Sequence, residues 1–445
     1  MTVTPTVTTR SWLSEIRATL GLAAPIALAQ AASIAVPAVD AIAMGTFGPG
    51  ALAGGGLAAG VLSTVLLLAG GVLAAASPLV AEARARGDED AQRHLVSATS
   101  TLAVLFGATI AVVLATSSRT ILVRLGAPTE AAEAGTAYLR VAGFSALPAL
   151  LAGAMRHAHN ASGRARRVAV ASFALLAAKA IFNVVLVRWA PWVGVAGIGV
   201  SSVIGQGIAA AMLVAWLPAP RWARPRRDAL RAILHLGAPI GVMTALEVGL
   251  FAASAVPVAR FGTGALAAHE VALQALYLGF VVPLGIAQAT SLRVAAAAGV
   301  NDVARVRAAA RGGIATASAA AFVWALALLV LAPFVGTLVG AVAPCMLTIR
   351  LLRLAAVVHV FDALQALLGF ALRGVGDARV PAVITAFGYG VIGPGAVVGL
   401  VVVGGLGPEG VWMGLAISLS STVLGFAVRW RGVVRRLAKA AAAGP

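Results

Sequence analysis

Twelve apolar runs, most of about twenty residues or more, follow one another along this chain with short polar breaks between them. A bilayer core about 30 Å thick, crossed by a helix rising about 1.5 Å per residue, demands runs of this length. They fall at 20–44, 51–81, 95–116, 131–154, 168–187 and 194–217, then at 234–259, 265–298, 313–335, 348–372, 380–403 and 411–428. A transmembrane β-barrel would need strands of about ten residues with alternating polarity, and a stretch such as 61–76 has no period of two. Charged residues make up 11% of the chain, against about 25% in an average soluble domain. Soluble enzymes and DNA-binding domains are excluded with the barrel. The reading is an all-α polytopic membrane protein.

The formal net charge of +18 would suit nucleic acid if it were spread over a face, but the basic residues sit in short clusters between runs. Alternate breaks hold Arg10 and Arg17; Arg84, Arg86 and Arg93; Arg156, Arg164, Arg166 and Arg167; Arg221, Arg224, Arg226, Arg227 and Arg231; Arg305, Arg307 and Arg311; Arg373 and Arg379; and the tail from Arg429 to Lys439. The opposite breaks hold only Arg119, Arg124, Arg188 and Arg260. Lys and Arg collect on the cytoplasmic side of short loops, so both termini are expected there, which requires an even number of spans. Cys345 is the only cysteine, and no intrachain disulfide, zinc cluster or redox pair can form.

The chain also matches itself. Leu20-Gly21-Leu22-Ala23-Ala24-Pro25-Ile26 returns 214 residues later as Leu234-His235-Leu236-Gly237-Ala238-Pro239-Ile240, and Phe47-Gly48-Pro49-Gly50-Ala51-Leu52-Ala53 as Phe261-Gly262-Thr263-Gly264-Ala265-Leu266-Ala267. Gly71 and Ser77 meet Gly285 and Ser291 in that register; Gly163-Arg164-Ala165-Arg166 meets Gly376-Asp377-Ala378-Arg379 at a shift of 213. The triplets within 18–33 could pass for a signal-peptide cleavage site, but a cleaved leader has no reason to repeat. A repeat of six spans enters and leaves on one side, so the copies are expected to be two pseudo-symmetric six-helix lobes about an axis along the membrane normal, with substrate in a central cleft between them. The expected division is a first lobe at 1–217, a basic linker at 218–232 containing Pro218, Pro220 and Pro225, and a second lobe with a basic tail at 233–445.

Three stretches carry a resemblance: Pro37-Ala38-Val39-Asp40 followed by Gly45; Ala267-Ala268-His269-Glu270-Val271-Ala272 followed by Pro283-Leu284-Gly285-Ile286; and Phe361-Asp362-Ala363-Leu364-Gln365 followed by Leu372-Arg373-Gly374-Val375-Gly376-Asp377. Together with the repeat they resemble the multidrug and toxic compound extrusion (MATE) family of secondary transporters, in order over nearly the whole chain. The resemblance implies twelve helices in two lobes, alternating access, and export of bulky, often cationic or amphipathic compounds in exchange for H⁺ or Na⁺.

Three of the fifteen acidic residues lie well inside apolar runs: Asp40, Glu247 and Asp362. A carboxylate at the bilayer centre costs about 2.5–3.5 kcal/mol on insertion scales and needs a partner or a task. Arg140, Lys179 and Arg353 are candidate partners for a structural ion pair. Asp40 is the expected coupling site of the first lobe, three residues after Pro37, which cannot donate to the carbonyl of Ser33 and loosens that turn. The resemblance adds Asn183 and Ser202 as neighbours. One branch of the family often carries an acid one turn after the asparagine; here Val187 stands there, which counts against a complete first-lobe sodium site. Lys179 stands one turn before Asn183 and, if it reaches Asp40, favours the ionised carboxylate. In the second lobe, by resemblance, Glu247 and Asp362 match positions that bind cations in the sodium-driven branch. In the repeat register Ser33 corresponds to Glu247, and Asp40 to Ser254. His359, three residues before Asp362, could share its proton or simply be a packed neutral ring. Glu270 is expected at a wet cleft edge. His157 and His159 are taken as a pair on a cytoplasmic loop too small for a metal site, and the GxxxG of Gly56 and Gly60 as one that fifty glycines produce by chance, marking close packing at best.

The expected function is an antiporter of the cytoplasmic (inner) membrane, needing no cofactor and acting as a monomer on small organic compounds. One charge crossing 100 mV supplies about 2.3 kcal/mol, enough for a roughly fifty-fold gradient of a neutral solute. No P-loop for ATP is present. A lipid-linked sugar flippase of the same superfamily is the alternative; its cleft should be strongly basic to hold diphosphate. An intramembrane enzyme would need a catalytic pair, and none is recognisable.

Overall fold

The computed structural model describes residues 12–217 and 223–442, and among these it contains helices and no strand. Arg10, and Pro218, Pro220 and Arg221 of the expected linker, lie outside the described residues. Twelve helices are long and apolar enough to cross a membrane: α1 (Leu13–Gly45), α2 (Pro49–Ala85), α3 (Glu89–Arg124), α4 (Thr129–Ala161), α5 (Ala165–Trp189), α6 (Val195–Ala215), α7 (Arg227–Ala259), α8 (Thr263–Gly299), α9 (Val303–Leu338), α10 (Cys345–Gly374), α11 (Arg379–Val403) and α12 (Gly407–Ala442). Several run a turn or more past the apolar segment that announces them, because polar first turns and caps extend a helix beyond hydrocarbon. Asp88 accepts the Ala91 N–H at 2.8 Å to start α3, and Asp302 accepts the Arg305 N–H at 2.9 Å to start α9. Those two caps stand at equivalent positions of the repeat. Two π-wound stretches in α11, Gly388–Ile392 and Gly399–Val403, have no sign in the hydrophobic periodicity.

The two halves carry the same turns. Gly48 and Gly262 have φ of 101° and 93°, a conformation open to glycine, just before α2 and α8. Contacts between the halves exchange in the same sense: α1 packs on α8 as α7 packs on α2, and α1 on α9 as α7 on α3. At the seam, a Cβ on Gly71 would meet Gly241 and Thr244, and one on Gly285 would meet Ala23 and Ala27; Gly241 and Ala27 are themselves repeat partners. The result is two six-helix lobes related by a pseudo-two-fold.

Inter-lobe contact is concentrated toward the end of the bundle where the basic clusters lie. Gly237 sits on the backbone of Val72, and Gly299 on that of Glu82. Arg293 of α8 pairs with Glu15 of α1 and also donates to the Thr19 hydroxyl. Arg86 reaches the carbonyl of Gly299 at 3.3 Å. Toward the outside, side chains such as Phe322, Val323 and Phe334 on α9 are exposed, as a hydrocarbon-facing surface requires.

One sequence reading needs correction. His157 and His159 lie in the last turns of α4, not in a loop; His157 Nδ1 is 2.8 Å from the Ser77 hydroxyl, and His159 Nε2 is 2.9 Å from the Leu213 carbonyl. Gly56 and Gly60 pack against nothing within 4 Å of a would-be Cβ, whereas the close approaches occur at glycines such as Gly54, Gly107 and Gly237.

Candidate functional site: a central cavity and a sealed first-lobe pair

Because the lobes meet mainly near one end, a cavity of about 880 Å³ remains between them, within the usual range for small-molecule sites. It is bounded by α1 and α2 from the first lobe and by α7, α8 and α10 from the second, with walls such as Leu67, Val248, Phe251, Leu273 and Phe280. The polar groups that reach it are few: Glu247 of α7, Glu270, Gln274, Tyr277 and Gln288 of α8, Asp362, Gln365 and Arg373 of α10, with Gln30, Ser63, Thr64 and Thr244. Three carboxyls stand against one guanidinium, so the polar part of the lining is acidic.

Glu247 is half-buried and Glu270 is exposed, while Asp362 retains only 3% of its surface. No hydrogen bond reaches Asp362 Oδ1 or Gln365 Oε1 among the described residues. An unsatisfied buried carboxyl oxygen beside a cavity is a place where a proton or a small cation finds a ready ligand. His359 is fully buried on α10; neither ring nitrogen has a hydrogen-bond partner among the described residues, and the ring does not line the cavity.

Asp40 is elsewhere. It is 5% exposed, does not line the cavity, and is held by a network inside the first lobe. Lys179 of α5 donates to Asp40 Oδ2 at 2.7 Å and to the Ser202 hydroxyl of α6 at 2.5 Å. Asn183, one turn further along α5, donates to Asp40 Oδ1 at 3.0 Å and accepts from Ser201 at 2.5 Å. The structure therefore brings Asp40 together with Asn183 and Ser202, the neighbours that the resemblance implied, and with Lys179, whose reach to Asp40 the sequence left open, and adds Ser201. Arg140 and Arg353, the other candidate partners, are both exposed. Pro37 lies inside α1 on an exposed side and takes no part in the network.

Sequence reasoning missed Arg373 and Tyr277. Arg373 was counted among loop charges that set topology, yet it is 9% exposed, stacks its guanidinium 4.5 Å over the Phe370 ring, and closes the cavity. The signal was available: Asp362, Gln365, Gly369 and Arg373 recur at helical spacing on one face of α10. Tyr277 packs edge-on to Phe251, ring centroids 6.0 Å apart, and nothing in an apolar run distinguishes such a tyrosine from core.

Among the described residues no three His, Cys, Asp or Glu gather as a metal cluster. The MatE family model matches residues 25–185 and, again, residues 239–398. The chain belongs to the MatE family. It is 34% identical to the multidrug resistance protein NorM of Burkholderia vietnamiensis over 93% of this chain and 92% of that one, and 31% identical to a probable multidrug resistance protein NorM of Agrobacterium fabrum over 97% of each. Its fold is similar to a crystal structure of MATE in a bent conformation, with a TM-score of 0.87 at 22% identity, covering 98% of this chain and 100% of that one. As a MatE protein it is a multi-pass membrane transporter and not an enzyme.

Proposed function

We propose that the protein is a secondary active efflux antiporter that exports bulky amphipathic or cationic compounds from the cytoplasm in exchange for H⁺ or Na⁺. The observation that carries this reading is the central cavity: large, mostly apolar, and supplied by the second lobe with Glu247 and Asp362. Apolar walls with few fixed polar groups accept many shapes, and carboxyls favour cations, whether substrate or coupling ion. The names of its NorM relatives support drug export.

The two-fold seam supports alternating access. With the basic end in the cytoplasm, as the charge rule expects for both termini, the contacts between α1 and α8 and between α7 and α2 close the cytoplasmic side. Rocking the lobes would break that seam and close the opposite one. Protonation or cation binding at Glu247 and Asp362, in competition with substrate, would bias the rocking, with Glu270 at the cavity rim and His359 behind Asp362. Asp40, the coupling site expected from the sequence, would instead stay paired in its network with Lys179, Asn183 and Ser202 and tie α1 to α5 and α6, one turn from Pro37. The division into lobes at 1–217 and 233–445 around a linker at 218–232 is part of the proposal, as are residence in the inner membrane and action as a monomer.

A flippase for lipid diphosphates is the weaker reading, because the cavity offers Arg373 alone against three carboxyls. The test is purified protein in liposomes, with a fluorescent cationic dye and an imposed pH or sodium gradient. Dye movement that follows one of the gradients supports antiport; movement that follows neither overturns it.

A further inference from the structure

We infer that Lys179 is a tethered cation: its ammonium group fills, within the first lobe, the place that a free monovalent cation would otherwise take beside Asp40. The argument starts from burial. Lys179 retains 1% of its surface and is among the largest fully buried side chains of the protein. An unpaired ammonium or carboxylate at that depth costs several kcal/mol, so each is held there by the other. The ammonium meets oxygen on two sides, Asp40 Oδ2 at 2.7 Å and Ser202 Oγ at 2.5 Å. Asn183 fixes the second carboxylate oxygen, and Ser201 in turn fixes Asn183. Tyr138 of α4 is buried beside Ser202. Preoriented oxygens beside a buried negative charge are the kind of ligand that hard cations take.

The fold makes room for this side chain specifically. A Cβ on Gly205 of α6 would stand 2.8 Å from Lys179 Cγ, so the stem runs through a slot that only glycine leaves open. The second lobe has no such arrangement. At the repeat position of Asp40 stands Ser254, whose hydroxyl is 3.2 Å from His269 Nε2, and His269 Nδ1 accepts from Trp412 at 3.1 Å. That chain of neutral donors and acceptors needs no counter-ion.

The consequence is one of ion specificity. An external Na⁺ finds the first-lobe oxygens occupied by a cation it cannot displace, because that cation is covalently part of α5. Any free coupling ion must then bind in the second lobe. This inference rests on the first-lobe network and would stand even if the exported compounds were other than proposed.

The experiment follows thermal unfolding of the purified chain in detergent at alkaline pH, with NaCl replaced by choline chloride at equal ionic strength. Lys179→Ala should gain a Na⁺-dependent rise in Tm of about 2 °C or more, absent from Lys179→Ala/Asp40→Asn. Ethylammonium should also raise the Tm of Lys179→Ala. A Lys179→Ala protein that responds to neither cation overturns the inference. Should that variant fail to fold, the full-length protein and Asp40→Asn/Lys179→Gln decide: the same Na⁺ response in both supports the tethered cation, and a Na⁺ response lost in the double variant overturns it.

Discussion

The two lobes are copies of one six-helix repeat, yet they treat their buried acids in opposite ways. In the first, Asp40 is enclosed with a lysine, an asparagine and two serines, and every charge has a partner within reach. In the second, Glu247 and Asp362 border a cavity, and one oxygen of Asp362 has no hydrogen-bond partner among the described residues. Removing one partner of a buried pair is costly because the other charge is left uncompensated, while an unsatisfied carboxyl beside a cavity is free to take a proton or a cation. The difference teaches that corresponding helices of two repeat copies can carry their acids at different positions and in different surroundings, Asp40 paired inside its lobe and Glu247 at the edge of the cavity.

Neutralising the exposed side of this contrast should have the largest effect. Glu247→Gln/Asp362→Asn should lower ion-driven dye efflux from liposomes by more than about tenfold while changing Tm little, since Asp362 Oδ1 has no hydrogen bond to lose. Lys179→Ala should do the reverse, destabilising the protein by about 3–5 kcal/mol, because it leaves Asp40 uncompensated. A double-mutant cycle with Asp40→Asn measures that coupling; additive losses would show that the pair does not act as a unit. Gly237→Leu should wedge the lobes apart where the glycine rests on Val72, at about 1–3 kcal/mol. A thiol reagent reacting from the basic end with Gln288→Cys, in a Cys345→Ser background, reads the opening; unchanged reactivity would place the seam elsewhere. Trp412→Phe should cost about 1 kcal/mol in thermal unfolding, the worth of its bond to His269, with efflux preserved.

The architecture was legible because hydrocarbon imposes run length and the positive-charge pattern imposes parity, and neither depends on packing detail. The repeat was legible because shared turns keep shared residues, as at Gly48 and Gly262. Asp40 and Lys179 could be named as candidates, but whether α5 turns Lys179 toward α1 depends on the slot at Gly205, which lies in another helix. Arg373 is harder to place: a basic residue at a span end usually faces headgroups, and its helical spacing from Asp362, Gln365 and Gly369 gains weight once its stacking on Phe370 and its place in the cavity show that it turns inward. The π-wound turns of α11 leave no mark in the hydrophobic period; each begins at a glycine, Gly388 and Gly399, in a stretch that also holds Pro394.

The division of roles between lobes is tested most directly by comparing two double variants in the same liposomes, under a proton gradient and then a sodium gradient. Asp40→Asn/Lys179→Gln removes the internal pair together, and Glu247→Gln/Asp362→Asn removes the cavity acids. The first should still pump dye along whichever gradient drives the unaltered protein, and the second should pump along neither. Efflux lost in the first and kept in the second would contradict the account.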